Sequence, residues 1–197
     1  MSEIPRLGDA LPLVATGPRW LEVALADLDA VHADHLHCER KAAQSALSLI
    51  RSYPERADLV REMARLAHDE TRHVVQVAAL IQRRAQPASY DYGDDYAATL
   101  RALIRRDEPL RLLDRLLVFA VIEGRSAERL GLLARALDDA QTRALYASLA
   151  DAEVRHCEVF LALARDAAPE AWRARAAELA AREAELMAAR VPTARIH

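Results

Sequence analysis

Two Glu-x-x-His segments, Glu70-Thr-Arg-His73 and Glu153-Val-Arg-His156, carry the clearest chemical signal in this chain. Residues three apart on a helix share a face, so each segment presents a carboxylate and an imidazole to one point. Carboxylate oxygens and imidazole nitrogens suit iron or manganese, and a further carboxylate from a neighbouring helix can bridge two ions. The tripeptide His-Cys-Glu also occurs twice, at 37–39 and 156–158. Successive residues on a helix diverge by about 100°, so the three cannot all serve one site. The apolar pattern around each triplet has to select among them.

The helices that would carry these ligands follow from their start and stop signals. Ser-Tyr-Pro-Glu at 52–55 reads as an N-cap, an early helical proline and a capping glutamate, which opens a helix there. Asp-Glu-Pro at 107–109, Asp-Asp-Ala-Gln at 138–141 and Ala-Pro-Glu at 168–170 open three more. Long helices are expected near 31–51, 54–84, 109–137, 139–166 and 170–189, with shorter ones near 19–30 and 95–106. Gln-Pro-Ala-Ser-Tyr-Asp-Tyr-Gly-Asp-Asp at 86–95 is a loop that divides the chain into halves.

At alternating steps of four and three, the second long helix reads Leu59, Met63, Leu66, Glu70, His73, Val77, Leu80. The first reads Leu36, Glu39, Ala43, Ala46, Ile50, and the third Leu113, Leu116, Ala120, Glu123, Ala127, Leu130, Ala134, Leu137. The fourth, Leu149, Glu153, His156, Phe160, Leu163, returns to the Glu-x-x-His pair. The stripes therefore select Glu39 from the first triplet and His156 from the second, while Cys38, Cys157 and Glu158 fall to the flanks. Four buried carboxylates would each cost several kcal/mol without compensation. Two divalent cations among them balance the charge. Glu39 precedes Glu70 by 31 positions and Glu123 precedes Glu153 by 30, so the halves match in spacing as well as in ligand type.

Other residues admit both a structural and a functional reading. Asp69, beside Glu70, could orient a metal-bound histidine by accepting its free N–H. His32, His35 and His37 read as packing or capping residues near the start of a helix, although His35 lies one turn before Glu39. Arg125 and Arg129 read as a solvated or ion-paired face, with phosphate contact as the sharper alternative. Tyr90, Tyr92 and Tyr96 could stack on unpaired RNA bases or pack onto the protein. Arg83, Arg84, Arg101, Arg105 and Arg106 bracket their loop and form a candidate basic patch.

The 197 residues suit one domain, 1–197, and only five Gly and two Phe amid abundant Ala, Leu, Arg and Glu make it all-α. No long apolar run or basic leader occurs, so no membrane span and a cytoplasmic setting are expected. The sequence leaves the oligomeric state open, with a monomer favoured. The net charge of −3 excludes an overall basic footprint, so any RNA must be held locally. Two cysteines make neither a disulfide framework nor a cluster site. No Gly-x-Gly-x-x-Gly occurs to hold a flavin or nicotinamide, which leaves redox electrons to a separate reductase.

One Glu from each of two helices with Glu-x-x-His from two others is the pattern of ferritin-like di-iron or di-manganese proteins. The expected fold is thus a ferritin-like four-helix bundle with additional short and C-terminal helices. The stretches DHLHCERKAAQSALSLI (34–50), LLVFAVIEGRSAERL (116–130), LYASLADAEVRHCEVFLALA (145–164) and ARIH (194–197) further resemble the bacterial MiaE family of tRNA hydroxylases, over nearly the whole chain. That resemblance implies two iron ions cycling between Fe2+ and Fe3+, held by Glu39, Glu70, His73, Glu123, Glu153 and His156. It also implies dioxygen as co-substrate, an external electron donor and a tRNA anticodon stem-loop as partner. The reaction would hydroxylate the isopentenyl group of (2-methylthio-)N6-isopentenyladenosine beside the anticodon. The alternative is a ferritin-like ferroxidase, peroxidase or oxidase with a non-RNA substrate.

Overall fold

The computed structural model describes residues 10–86, 89–93 and 95–197. Pro87, Ala88 and Asp94 of the expected loop lie outside the described residues, as does the N-terminal stretch 1–9. The described residues form seven α-helices and no strand: α1 (Pro18–Ala26), α2 (Leu28–Ser52), α3 (Ala57–Arg83), α4 (Asp95–Arg101), α5 (Leu110–Ala136), α6 (Ala140–Ala167) and α7 (Trp172–Ala189). They divide into two compact units. One comprises Glu22–Tyr92 with Thr193–Ile196, the other the segment up to Leu21 with Gly93–Pro192 and His197.

In the first unit α2 and α3 pack as a helical hairpin. Asp27 starts α2 by accepting the Ala30 N–H at 3.0 Å. The buried residues of α3 are the expected stripe with Ala67 added, because its apolar positions keep one period over the full length. In α2, Leu49 is buried where Ile50 was expected, and Leu36 is only half-buried. The junction also differs from expectation. Ser52 donates its hydroxyl to Ser48 O at 2.9 Å, and Tyr53, buried, donates its N–H to Leu49 O at 3.0 Å. Ser52 thus closes α2, and α3 begins at Ala57 without a side-chain cap.

In the second unit α5 packs against both α6 and α7. Asp139 starts α6 by accepting the Thr142 N–H at 2.7 Å. Because two helices cover it, α5 is buried on nearly every face, and its burial extends to Asp114, Arg125, Ser126 and Arg129. The short helix expected near 95–106 stops at Arg101. Asp114 explains why: its carboxylate takes the Arg105 N–H at 2.9 Å and the Arg105 guanidinium at 2.7 and 2.8 Å, which holds that backbone in a non-helical turn. Among the described residues, no helix is long and apolar enough to cross a membrane.

Candidate metal centre

Each unit carries one buried triad of the same composition, a Glu from its first long helix and a Glu-x-x-His from its second. In the α2/α3 unit, His73 Nδ1 lies 3.4 Å from Glu39 Oε2 and 3.3 Å from Glu70 Oε2. In the α5/α6 unit, His156 Nδ1 lies 3.4 Å from Glu153 Oε2, with Glu123 alongside. Within each triad every residue offers one ligand atom within 4.8 Å of the others. All six residues are buried, Glu70 completely. The positions follow from the stripes: an i, i+3 pair on the buried face of α3 or α6 meets a single acid on the buried face of α2 or α5.

Two carboxylates and an imidazole per unit form a hard oxygen set with one nitrogen, which fits iron or manganese better than a thiolate-seeking metal. Burial this deep leaves such acids stable only with cationic partners. Glu39 shows the balance of forces. Burial pushes its carboxyl up, but the neighbouring His35, and hydrogen bonds with Glu70, His35 and His73, bring it well below the usual carboxylate range.

The remaining sequence candidates separate cleanly. Asp69 is part-exposed and pairs with Arg72 at 3.1 Å. Cys157 is buried, its thiol donating to Ala120 O at 3.2 Å and pushed well above its usual pKa by burial, and Cys38 sits half-buried beside Asp34, so both are flank residues as expected. His32 is buried against Gln86 at 3.0 Å. His35 is buried too, with Nε2 2.5 Å from Glu39 Oε1.

Tyr90 and Tyr92 stand in solvent at 82% and 86% exposure, beside an open cavity of about 420 Å³ lined also by His37, Asp34, Gln86 and Arg195. Tyr96 is different: fully buried in α4, it donates its hydroxyl to Glu183 at 3.0 Å and stacks on His197. The candidate basic patch is also divided. Arg84 pairs with Asp29 at 3.2 Å and Arg105 is bound to Asp114, whereas the side chains of Arg83, Arg101 and Arg106 are exposed.

Arg125 and Arg129 are neither solvated nor available to phosphate. Arg125 is 1% exposed; it donates to Glu183 through Nε and Nη2, both at 2.8 Å, to Thr16 Oγ1 and Val14 O at 2.9 Å, and to Glu128. Arg129 lies over the Trp20 ring at 4.7 Å, and burial beside Arg125 lowers its pKa to about 10. This network lies on a second buried face of α5, outside its apolar stripe. The run Leu-Leu-Val-Phe-Ala-Val-Ile at 116–122, apolar all round, was the available signal of a second buried face.

A family model described as tRNA-(MS[2]IO[6]A)-hydroxylase (MiaE) matches residues 9–197. This chain belongs to the MiaE family. Two relatives in that family are similar to it along most of their length. The tRNA 2-(methylsulfanyl)-N(6)-isopentenyladenosine(37) hydroxylase of Pseudomonas putida is 43% identical, covering 95% of this chain and 91% of its own. The Salmonella typhimurium protein of the same description is 32% identical, covering 78% of this chain and 74% of its own. Among solved structures, a Synechococcus protein described as having aldehyde deformylating oxygenase activity is 36% identical. It matches with a TM-score of 0.88 over 94% of both chains. The MiaE-family fold here is accordingly all-α and ferritin-like, with a four-helix-bundle core and additional helices.

Proposed function

We propose that the two triads form one dinuclear iron centre and that the protein hydroxylates the isopentenyl group of (2-methylthio-)N6-isopentenyladenosine in tRNA. The observation that carries this reading is the repeated buried triad in a chain 43% identical to a hydroxylase of that substrate. The proposal makes residues 1–197 a single domain. Glu39, Glu70 and His73 would hold one ion and Glu123, Glu153 and His156 the other, with carboxylates free to bridge.

When bound, the iron pair supplies the oxygen-activating chemistry. One oxygen atom enters a C–H bond, the other leaves as water, and two electrons and two protons are consumed. The protein's residues do the rest. Apolar neighbours on the same stripes, Leu66 and Val77 on α3 and Leu149 and Phe160 on α6, are buried and keep bulk water from the ligands. The residues three apart hold each carboxylate and imidazole in register, so little reorganisation accompanies binding. The electrons come from a separate reductase, since the sequence offers no second redox group. A cytoplasmic monomer is the setting we infer.

Tyr90 and Tyr92 are the residues we assign to RNA, stacking on unpaired anticodon-loop bases. Their exposure supports this over packing onto the protein. The test is reconstitution: with iron, oxygen, a reductase system and isopentenyl-modified tRNA, nucleoside mass spectrometry should show one added oxygen. An aldehyde belongs in a parallel reaction, because the Synechococcus relative is described as having aldehyde deformylating oxygenase activity. Turnover of the aldehyde with unchanged tRNA would reverse the assignment.

A further inference from the structure

The two triads match in composition but not in the residue one helical turn before the lone Glu. Four residues before Glu39, one turn up α2, is His35; four residues before Glu123 on α5 is Phe119. Phe119 packs against Phe160 with ring centroids 5.5 Å apart and offers no polar atom. His35 is 1% exposed and places Nε2 2.5 Å from Glu39 Oε1, while the other oxygen of that carboxylate, Oε2, faces His73 at 3.4 Å. The two oxygens of Glu39 are therefore committed to different neighbours. No imidazole stands at the corresponding position behind Glu123.

A carboxylate ligand can coordinate through one oxygen or both and can swing between terminal and bridging modes. An N–H fixed on one oxygen takes one of its lone pairs and weakens it as a donor, which favours the other oxygen for the metal, and outer hydrogen bonds of this kind typically change metal affinity by about 10–100-fold. We propose that His35 is a positioning residue that holds Glu39 to coordination through Oε2 alone, making the α2/α3 half of the centre the more preorganised and the tighter of the two. The proposal rests on the assignment of the triads as a metal centre. It adds that the two ions are inequivalent, and it names the residue responsible.

The experiment is an anaerobic titration of the metal-free full-length protein with Co2+, followed by its visible ligand-field bands, and repeated with Fe2+ by near-infrared circular dichroism. The wild type should fill in two resolved steps. His35→Leu should weaken the first step by about 10–100-fold and shift its bands while leaving the second in place. His35→Asn keeps polarity but is too short to reach Glu39 Oε1, so it should behave like the Leu variant. His35→Gln, whose amide can approach the place of Nε2, should restore the tight step. Far-ultraviolet circular dichroism of each variant separates loss of fold from loss of the ligand. A wild type that takes up no metal overturns the metal centre and this role with it. Normal metal uptake in the wild type, with His35→Leu and His35→Asn titrating and absorbing identically to it, overturns the role of His35 alone. Equal weakening in all three variants also overturns it, since the donor would then not be what matters.

Discussion

Glu70, fully buried, has no reason to lie with His73 at the centre of a stripe of apolar residues unless a cation meets it. The same argument applies to Glu39, Glu123 and Glu153, each buried on its own helix. Protein loaded anaerobically with ferrous iron should therefore approach about two irons per chain. Glu70→Ala and His156→Ala should each fall clearly below that in a colorimetric iron assay, because each removes a ligand from a different triad. Full occupancy in both variants would show that the iron is bound elsewhere. The six proposed ligands stood out in the sequence because a polar residue interrupting a strict apolar period is conspicuous. His35 was not, since its type and position fit a packing histidine equally well, and only its 2.5 Å approach to Glu39 separates the two roles.

At the scale of elements, α5 departs most from a surface helix. It is covered by α6 and α7, and the contact with α7 is made by the buried pair Arg125 and Glu183. Arg125→Met strands the Glu183 carboxylate in the interior, a loss on the order of 3–5 kcal/mol. Urea denaturation should show a large fall in midpoint for that variant. The double variant Arg125→Met with Glu183→Leu should regain most of it, since neither charge is then left alone.

Asp114 makes a second prediction, about pH. Burial raises its carboxyl, but Arg105 and Arg175 together hold it below its ordinary value of 3.8. A folded value below the unfolded one means the contribution is complete above the unfolded pKa and is lost as pH falls through the folded one. Asp114→Asn should cost on the order of 2 kcal/mol near neutral pH. The gap to wild type, followed by thermal unfolding from pH 6 to pH 2, should narrow at the acid end. A constant gap would show that the carboxylate charge is not what stabilises the Arg105 turn.

Local capping chemistry explains where the sequence succeeds and fails at this scale. Asp139 has one reading as an N-cap and fills it. Ser52 and the Pro that follows suit either the end of one helix or the start of the next, and the hydroxyl's bond to Ser48 O decides for the end. The buried face of α3 was legible in full because α3 buries one stripe. The second face of α5 was not, because its partner α7 lies far along the chain and the pair Arg125 and Glu183 is separated by 58 residues.

For the whole molecule, a net charge of −3 means that long-range attraction cannot gather an RNA, and contact has to be local. Arg84 and Arg105 are engaged by Asp29 and Asp114, and Arg125 and Arg129 are buried, so the exposed Arg101 and Arg106, with Tyr90 and Tyr92, are groups to test. Replacing both tyrosines by Ala should weaken tRNA binding by the worth of stacked bases, about 1–3 kcal/mol each, without changing the salt dependence. Arg106→Glu should instead flatten the logarithmic salt slope by about 0.7–0.9 or more. Filter binding across a salt series distinguishes the two. Unchanged affinity in both variants would place the RNA elsewhere on the surface.

The most direct test of the account is a single turnover on modified tRNA. The metal-loaded protein, reduced and then mixed with oxygen and tRNA bearing the isopentenyl group, should yield a nucleoside heavier by one oxygen atom, and with ¹⁸O₂ that atom should carry the label. Glu70→Ala under the same conditions should yield none. Unmodified nucleoside from a wild type that has bound iron and consumed oxygen would contradict the account.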